Sequence, residues 1–173
     1  MALINKVLPG YVATLWMQNG ATPTPLTVSQ LSTWTAQVEA IVGTTAGGTG
    51  TTGMQVPVEA IPAFGADDAS ATYSIAGART GAKITTQNQV TSMQITAAWN
   101  PSDAALLQIR SDGYAGDIIR TFVVAVYDGA NTVAYAFNAR IGGLQWDLSP
   151  SAESKFIFTV HPVGGNEYGW SND

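Results

Sequence analysis

The chain has 173 residues, 46% apolar and only 11% charged, with 12 acidic against 7 basic side chains for a formal charge of −5. That size accommodates one domain with a real core, and the acidic balance is the wrong sign for a surface that grips a nucleic-acid backbone: no basic residue stands between Lys6 and Arg79, where Glu39, Glu59, Asp67 and Asp68 are all acidic. The lack of cysteine removes disulfides, thiolate metal sites and a cysteine nucleophile, no apolar run is long enough to span a bilayer, and so few charges leave much neutral surface, which is either a Thr- and Ala-rich exterior or one covered by neighbouring subunits.

Residues 1–10 read as an arm closed by Pro9-Gly10, without the charged and apolar regions of a secretory signal, so the expectation is a cytoplasmically made chain. Tyr11 to Met17 reads as a first strand ended by Asn19-Gly20, and Ala21 to Leu26, with two prolines, as a loop. The apolar spacing of Val28 to Trp34 fits neither period, whereas Thr35 to Ile41 alternates with β-branched content and predicts a strand. Residues 43–53 are Gly/Thr-rich and predict a flexible loop. Gln55 to Ile61 alternates, but Pro57 and Pro62 place it at a sheet edge. Ala66-Asp67-Asp68 reads as a turn, Ala71 to Ile75 as a short strand, and Gly77 to Gln89 as polar and turn-rich.

The clearest stretch is Val90 to Tyr127. Met93, Ile95, Ala97 and Trp99 alternate onto one face of a strand, and Asn100-Pro101-Ser102-Asp103 stops it. Asn100 can accept from first-turn amides, Pro101 suits the first helical position, and Asp103 adds negative charge at the positive helix end. Ala105, Leu106 and Ile109 form an apolar stripe, and Gly113 is available for a left-handed cap, which predicts the one helix of the chain over about 101–112. Ile118 to Tyr127 is a second strand, joined by an Asp128-Gly129-Ala130-Asn131 hairpin to Thr132–Ile141. There Val133, Tyr135, Phe137, Ala139 and Ile141 alternate with Ala134, Ala136, Asn138 and Arg140 until Gly142-Gly143 breaks the pattern. Lys155 to His161 is the last strand, with Phe156, Phe158 and Val160 on one face, and 166–173 is a polar tail carrying Tyr168 and Trp170.

No catalytic, metal or cofactor constellation emerges. Gly48-Thr49-Gly50-Thr51-Thr52-Gly53 matches the letters of a dinucleotide fingerprint, but Met54-Gln55-Val56-Pro57 follows as extended chain where the mechanism needs a helix N-terminus. His161 is the sole histidine and has no supporting signature, and Asp67 and Asp68, being adjacent, would point to opposite faces of any strand. Five tryptophans leave a carbohydrate-binding sandwich as an alternative, although Trp16 and Trp99 sit in strand patterns that suit a core or interface. Trp170, an aromatic in a polar terminal segment, suits an anchor on a partner.

Thr91 to Gly165 carries a resemblance. The strand-then-helix entry Thr91-Ser92-Met93-Gln94-Ile95-Thr96-Ala97-Ala98-Trp99-Asn100-Pro101, the helix through Leu106-Leu107, the Asp128-Gly129 hairpin with its long return strand, and the closing strand Ser154 to Val160 are similar to the tail tube (major tail) proteins of long, non-contractile-tailed bacteriophages. Ala13-Thr14-Leu15-Trp16 behind a short arm agrees with that layout. The resemblance implies a mainly β fold, a β-sandwich or half-barrel of one domain over 1–173 with one flanking helix, completing a β-barrel in a hexameric ring. It implies stacked rings forming a conduit for DNA, with no enzyme activity, cofactor or metal. Its implied partners are identical copies, tail tip and tail terminator proteins, a tape measure protein in the lumen during assembly, and DNA that passes without specific binding. No membrane is implied, and the location is the virion tail, assembled in a bacterial cytoplasm. Under that reading Leu3, Ile4, Leu8, Gly47, Gly48, Gly50, Gly53 and Trp170 serve ring stacking or subunit contact, and Glu59, Asp67 and Asp68 face the lumen. The alternative is a virion decoration or carbohydrate-binding β-sandwich module.

Overall fold

A computed structural model of the chain describes residues 13–31, 36–43, 52–73, 82–127, 132–148, 152–163 and 169–172; for 66–73, 82–90, 127, 132 and 169–172 it describes the backbone. Strong alternation in the sequence becomes strand wherever it was clearest. The strands are β1 (Ala13–Gln18), β2 (Gly53–Val56), β3 (Ala66–Tyr73), β4 (Ala82–Val90), β5 (Met93–Ala98), β6 (Arg120–Tyr127), β7 (Thr132–Asp147), β8 (Lys155–Pro162) and β9 (Gly169–Asn172). The helices are α1 (Val28–Leu31), α2 (Ala36–Val42) and α3 (Ala104–Ala115). The fold is mainly β.

One antiparallel sheet runs in the order β2-β1-β6-β7-β8-β5, with β9 also on β7. The 16 residues of β7 organise it. Residues 132–139 pair with β6 and 139–147 with β8, while β9 pairs with 133–136 on the remaining edge. One strand therefore belongs to two halves of the sheet. The register shifts between Gly142 and Gln145, and Gly143 there has φ 61°, a left-handed conformation glycine adopts without a Cβ penalty. The two glycines thus bend β7 through a bulge rather than ending it. After β2 the chain crosses to the other end of the sheet: Val58 bridges Ala97 of β5, and the Glu59 amide donates to the Thr96 carbonyl at 3.0 Å. This strap curls the sheet into a half-barrel.

The concave face holds the main core. Phe122, Phe137, Phe156 and Phe158 are fully buried among Leu15, Met17, Met93, Ile95 and Val160, with Leu106 and Ile109 of α3 filling the mouth. Each such side chain contributes about 1.5–3 kcal/mol by leaving water. α3 is stopped at both ends by identifiable groups. Asp103 is its N-cap, accepting from the Leu106 amide at 3.0 Å, and Gly116, at φ 76°, is its C-cap. The expected span of 101–112 is therefore shifted. Asn100 forms a turn ahead of the helix, accepting from the Ser102 amide at 3.0 Å. Gly113 is inside the helix, where a Cβ would lie 2.8 Å from the Leu144 side chain, so its smallness serves packing and not the cap.

The convex face is covered too, which alternation alone did not reveal. Trp16, Val123, Ala125, Ala134 and Ala136 are buried there beneath Leu26, Leu31, Val38, Ile41 and Val42. Of the stretch Thr35 to Ile41, expected as a strand, Ala36 onward is helical as α2, and the ambiguous Val28 segment supplies α1. Val38, Ile41 and Val42 lie on one helical stripe, and packing on the sheet overrides the β preference of Val and Ile. Gly43, with φ 89°, ends α2 as its amide donates to the Glu39 carbonyl at 2.6 Å. Two further expectations are corrected: Ala66-Asp67-Asp68 is no turn but the start of β3, and most of the polar Gly77–Gln89 stretch is β4. β3 and β4 pair as a separate two-stranded sheet whose base is tied by the Thr91 amide to the Gly65 carbonyl at 3.1 Å. The end of the polar tail is β9.

Candidate assembly interface

A surface that joins copies of a chain needs a rigid frame, and two buried polar devices supply it. Arg120, fully buried, donates from Nε to Asp112 Oδ2 at 2.6 Å and from Nη2 to Asp112 Oδ1 at 3.0 Å. Its Nη1 donates to the Gln18 and Gly20 carbonyls, and Gln108 Nε2 donates to Asp112 Oδ1 at 2.8 Å. This network locks α3 to the ends of β1 and β6. The fork of a guanidinium meets a carboxylate with two parallel bonds, which fixes direction as well as distance. The second device is a ring of bonds on the convex face: Leu26 N to Thr121 Oγ1 at 3.0 Å, Thr121 Oγ1 to Asn138 Oδ1 at 2.7 Å, and Asn138 Nδ2 to the Leu26 carbonyl at 2.7 Å. It pins the Pro-rich loop before α1 onto β6 and β7. Neither network was legible in the sequence, where Asp112 stands beside the expected cap Gly113 and Arg120 falls inside the strand expected over Ile118 to Tyr127.

On that frame sits an aromatic platform. Tyr114 of α3 is 71% exposed and stacks on Trp146 at 6.4 Å, with Leu148, 63% exposed, two residues further on. Trp146 is rooted in the core through Phe156 at 5.1 Å and meets Trp99 edge-on at 6.2 Å. Three of the four exposed large apolar side chains among the described residues are therefore neighbours. Single exposed apolar residues are ordinary, whereas a contiguous patch marks a contact surface. The sequence pointed to Trp99 as core or interface but gave no reason to group Tyr114, Trp146 and Leu148, which α3 and the far end of β7 bring together. Strand edges add to the surface: β3 and β4 pair with no third strand among the described residues, and β9 is a short outermost strand.

The residues singled out from sequence fall in several places. Leu3, Ile4, Leu8, Gly47, Gly48 and Gly50 lie outside the described residues. Gly53 opens β2 and is pressed against α2, where a Cβ would fall 2.1 Å from the Ile41 carbonyl oxygen. It belongs to the packed body and not to a free loop. Trp170 lies in β9, in register with Tyr135. Glu59 is in the strap and pairs with Lys155 Nζ at 3.1 Å, both side chains partly exposed. Asp67 and Asp68 are in β3, in register with Gln89 and Asn88. His161, near the end of β8, is exposed and bonded through Nδ1 to Ser92 Oγ at 3.0 Å. The fingerprint-like glycines lead into β2, which cannot present a helix N-terminus to a pyrophosphate. No helix among the described residues is long and apolar enough to cross a membrane.

No protein-family model and no curated protein sequence matches the chain. Solved structures do. The chain is similar to one in the extended-state sheath/tube terminator of PVC, an extracellular contractile injection system, with TM-score 0.60 and 10% identity over 93% of this chain and 96% of the other. It is also similar to a chain of the anti-feeding prophage (AFP) baseplate, solved with six-fold symmetry, with TM-score 0.54 and 10% identity over 65% and 80% of the two chains. At such identity the likeness is one of fold.

Proposed function

We propose that the chain is a structural subunit of a phage-tail-type tube, a conduit wall in which identical copies close into a ring and rings stack. The observation that carries this reading is the match over nearly the whole of both chains to a component of a sheath/tube terminator. The six-fold symmetrised baseplate match supports a six-membered ring. Physics points the same way. The aromatic platform and the open edges of β3, β4 and β9 are surface that an isolated subunit gains by covering, and pairing edges between copies removes templates for aggregation. The narrower placement in a long non-contractile tail rests on the sequence resemblance, since both structural matches are to contractile injection systems.

In this reading the tube carries DNA without gripping it. The −5 charge and the basic-free span from Lys6 to Arg79 suit a wall that repels phosphates. Of the lumen acids proposed, Glu59 is offset by Lys155, and Asp67 and Asp68, adjacent in β3, can offer only one carboxylate to a given face. Residues 1–10, the 44–51 loop and Trp170 are the proposed stacking elements, with tail tip, terminator and tape measure proteins as the wider partners in a virion tail. A second reading is favoured by the same match: a ring that ends a tube instead of extending it. Negative-stain microscopy of the concentrated protein separates them. Stacked tubes support the tube subunit, single unstacked rings support the terminator, and monomers at every concentration overturn both.

A further inference from the structure

The aromatic platform carries the chemistry to receive a cation. Tyr114 lies against Trp146 through one ring face, with the planes 25° apart, and at 71% exposure its other face is open to water. The face of an aromatic ring is its negative side and attracts a positive group placed over it. Tyr114 stands in the last turn of α3, which holds no basic residue, and the last carbonyls of a helix form its negative end. Asp117, exposed and just past the Gly116 cap, adds a full negative charge. The charge of Arg120 below is already met by Asp112, and Arg110, exposed one turn earlier on the helix, makes no ring contact or ion pair among the described residues. This end of α3 therefore suits a guanidinium, which can stack on a ring and meet a carboxylate with its fork of donors.

The chain carries such a group on its other side. Arg140 is in register with His161, and Trp146 with Phe156. Cross-strand partners share a face of the sheet, and successive residues alternate between faces. Phe156, Phe158 and Val160 face the concave core, which puts His161, and Arg140 beside it, on the convex face. Both are exposed. His161 is engaged through Nδ1 with Ser92, whereas Arg140 makes no hydrogen bond or ion pair among the described residues. Its guanidinium is therefore a cation on one face of the sheet, and the ring and carboxylate that suit it are at the other. Surfaces so placed do not meet within one subunit. They are what a head-to-tail ring needs, because each copy offers one surface forward and a different one back. We propose that Arg140 of one copy stacks on the Tyr114 ring of the next and pairs with its Asp117. The proposal rests on the ring reading and adds to it the two surfaces that meet.

Charge reversal tests the contact, with sedimentation velocity of the full chain as the readout and circular dichroism as the check on folding. Arg140→Glu sets a carboxylate against Asp117, and Asp117→Arg sets a guanidinium against Arg140. Both positions are exposed, so each variant keeps its fold. Each alone should form rings at least about tenfold more weakly than the unaltered chain, since like charges then face each other at every contact. An equimolar mixture of the two variants should recover ring formation. Alternating copies place opposite charges at every contact, and a ring of six can close on that alternation. Single variants that assemble like the unaltered chain overturn the contact and give the platform to a different partner. Two weakened variants that stay weak when mixed overturn it as well, because the two residues then act at separate places. In both cases rings of the unaltered chain leave the tube reading standing. An unaltered chain that is monomeric at every concentration overturns the contact and the tube reading together.

Discussion

Replacing Asp112 with Ala tests whether the frame beneath the interface is held as described. The substitution leaves the Arg120 guanidinium, fully buried, without its carboxylate. Removing one partner of a buried, hydrogen-bonded pair costs about 3–5 kcal/mol, mostly as the burden of an uncompensated charge. Two bonds from Nη1 to the Gln18 and Gly20 carbonyls survive, so the expected loss is at the lower end, about 3 kcal/mol. For a chain of this length that lowers Tm by about 6–12 °C. Urea titration followed by tryptophan fluorescence gives the number. The double variant Asp112→Leu with Arg120→Met removes both charges and should recover most of the loss, since an apolar pair of similar volume often matches a buried ion pair. A single variant that loses less than about 1 kcal/mol, or a double variant less stable than the single, would refute the idea that the pair locks α3 to the sheet.

Other expectations follow from the same geometry. Gly53→Ala drives a methyl into the Ile41 carbonyl and should cost about 1–3 kcal/mol in urea titration, with α2 loosened in hydrogen exchange. Tyr114→Ser with Leu148→Ser should change monomer stability by no more than about 0.5 kcal/mol, because both side chains are largely exposed, while abolishing ring formation in sedimentation velocity. Exchanging residues 44–51 for two glycines should leave a folded chain, because the Thr52 amide already bonds the Ala40 carbonyl at 3.0 Å and holds the loop ends together. Rings of this variant should fail to stack by electron microscopy, and normal tube growth would remove the loop from the stacking elements.

What the sequence disclosed and what it hid have separate physical causes. Met93 to Trp99, Phe156 to Val160 and the odd positions of Val133 to Ile141 were legible because each strand buries one face in the concave core, and a period of two survives. The even positions Ala134 and Ala136 read as outward, and they are, but helices cover them. Alanine is neutral enough for either setting, so the second layer left no mark in the alternation. The α2 segment was misread because Val38, Ile41 and Val42 are β-branched, and only contact with the sheet makes them helical. The short strand expected from Ala71 falls in the second half of β3, whereas the start of β3 and all of β4 were missed because their Asp, Thr and Gln residues suit a two-stranded ribbon with no apolar pattern to find. Of the interface, the composition hinted at a low-charge exterior. Grouping Tyr114, Trp146 and Leu148 required the tertiary fold, since helix α3 and the far end of β7 meet only there.

The central claim is that the working object is a closed ring of identical copies. Native mass spectrometry of the purified chain across a concentration series measures it most directly. The account predicts a dominant species at six times the subunit mass, growing at the expense of monomer, with no stable dimer or trimer between them. A monomer that persists at the highest concentrations attainable, or an open ladder of all intermediate masses, would contradict it.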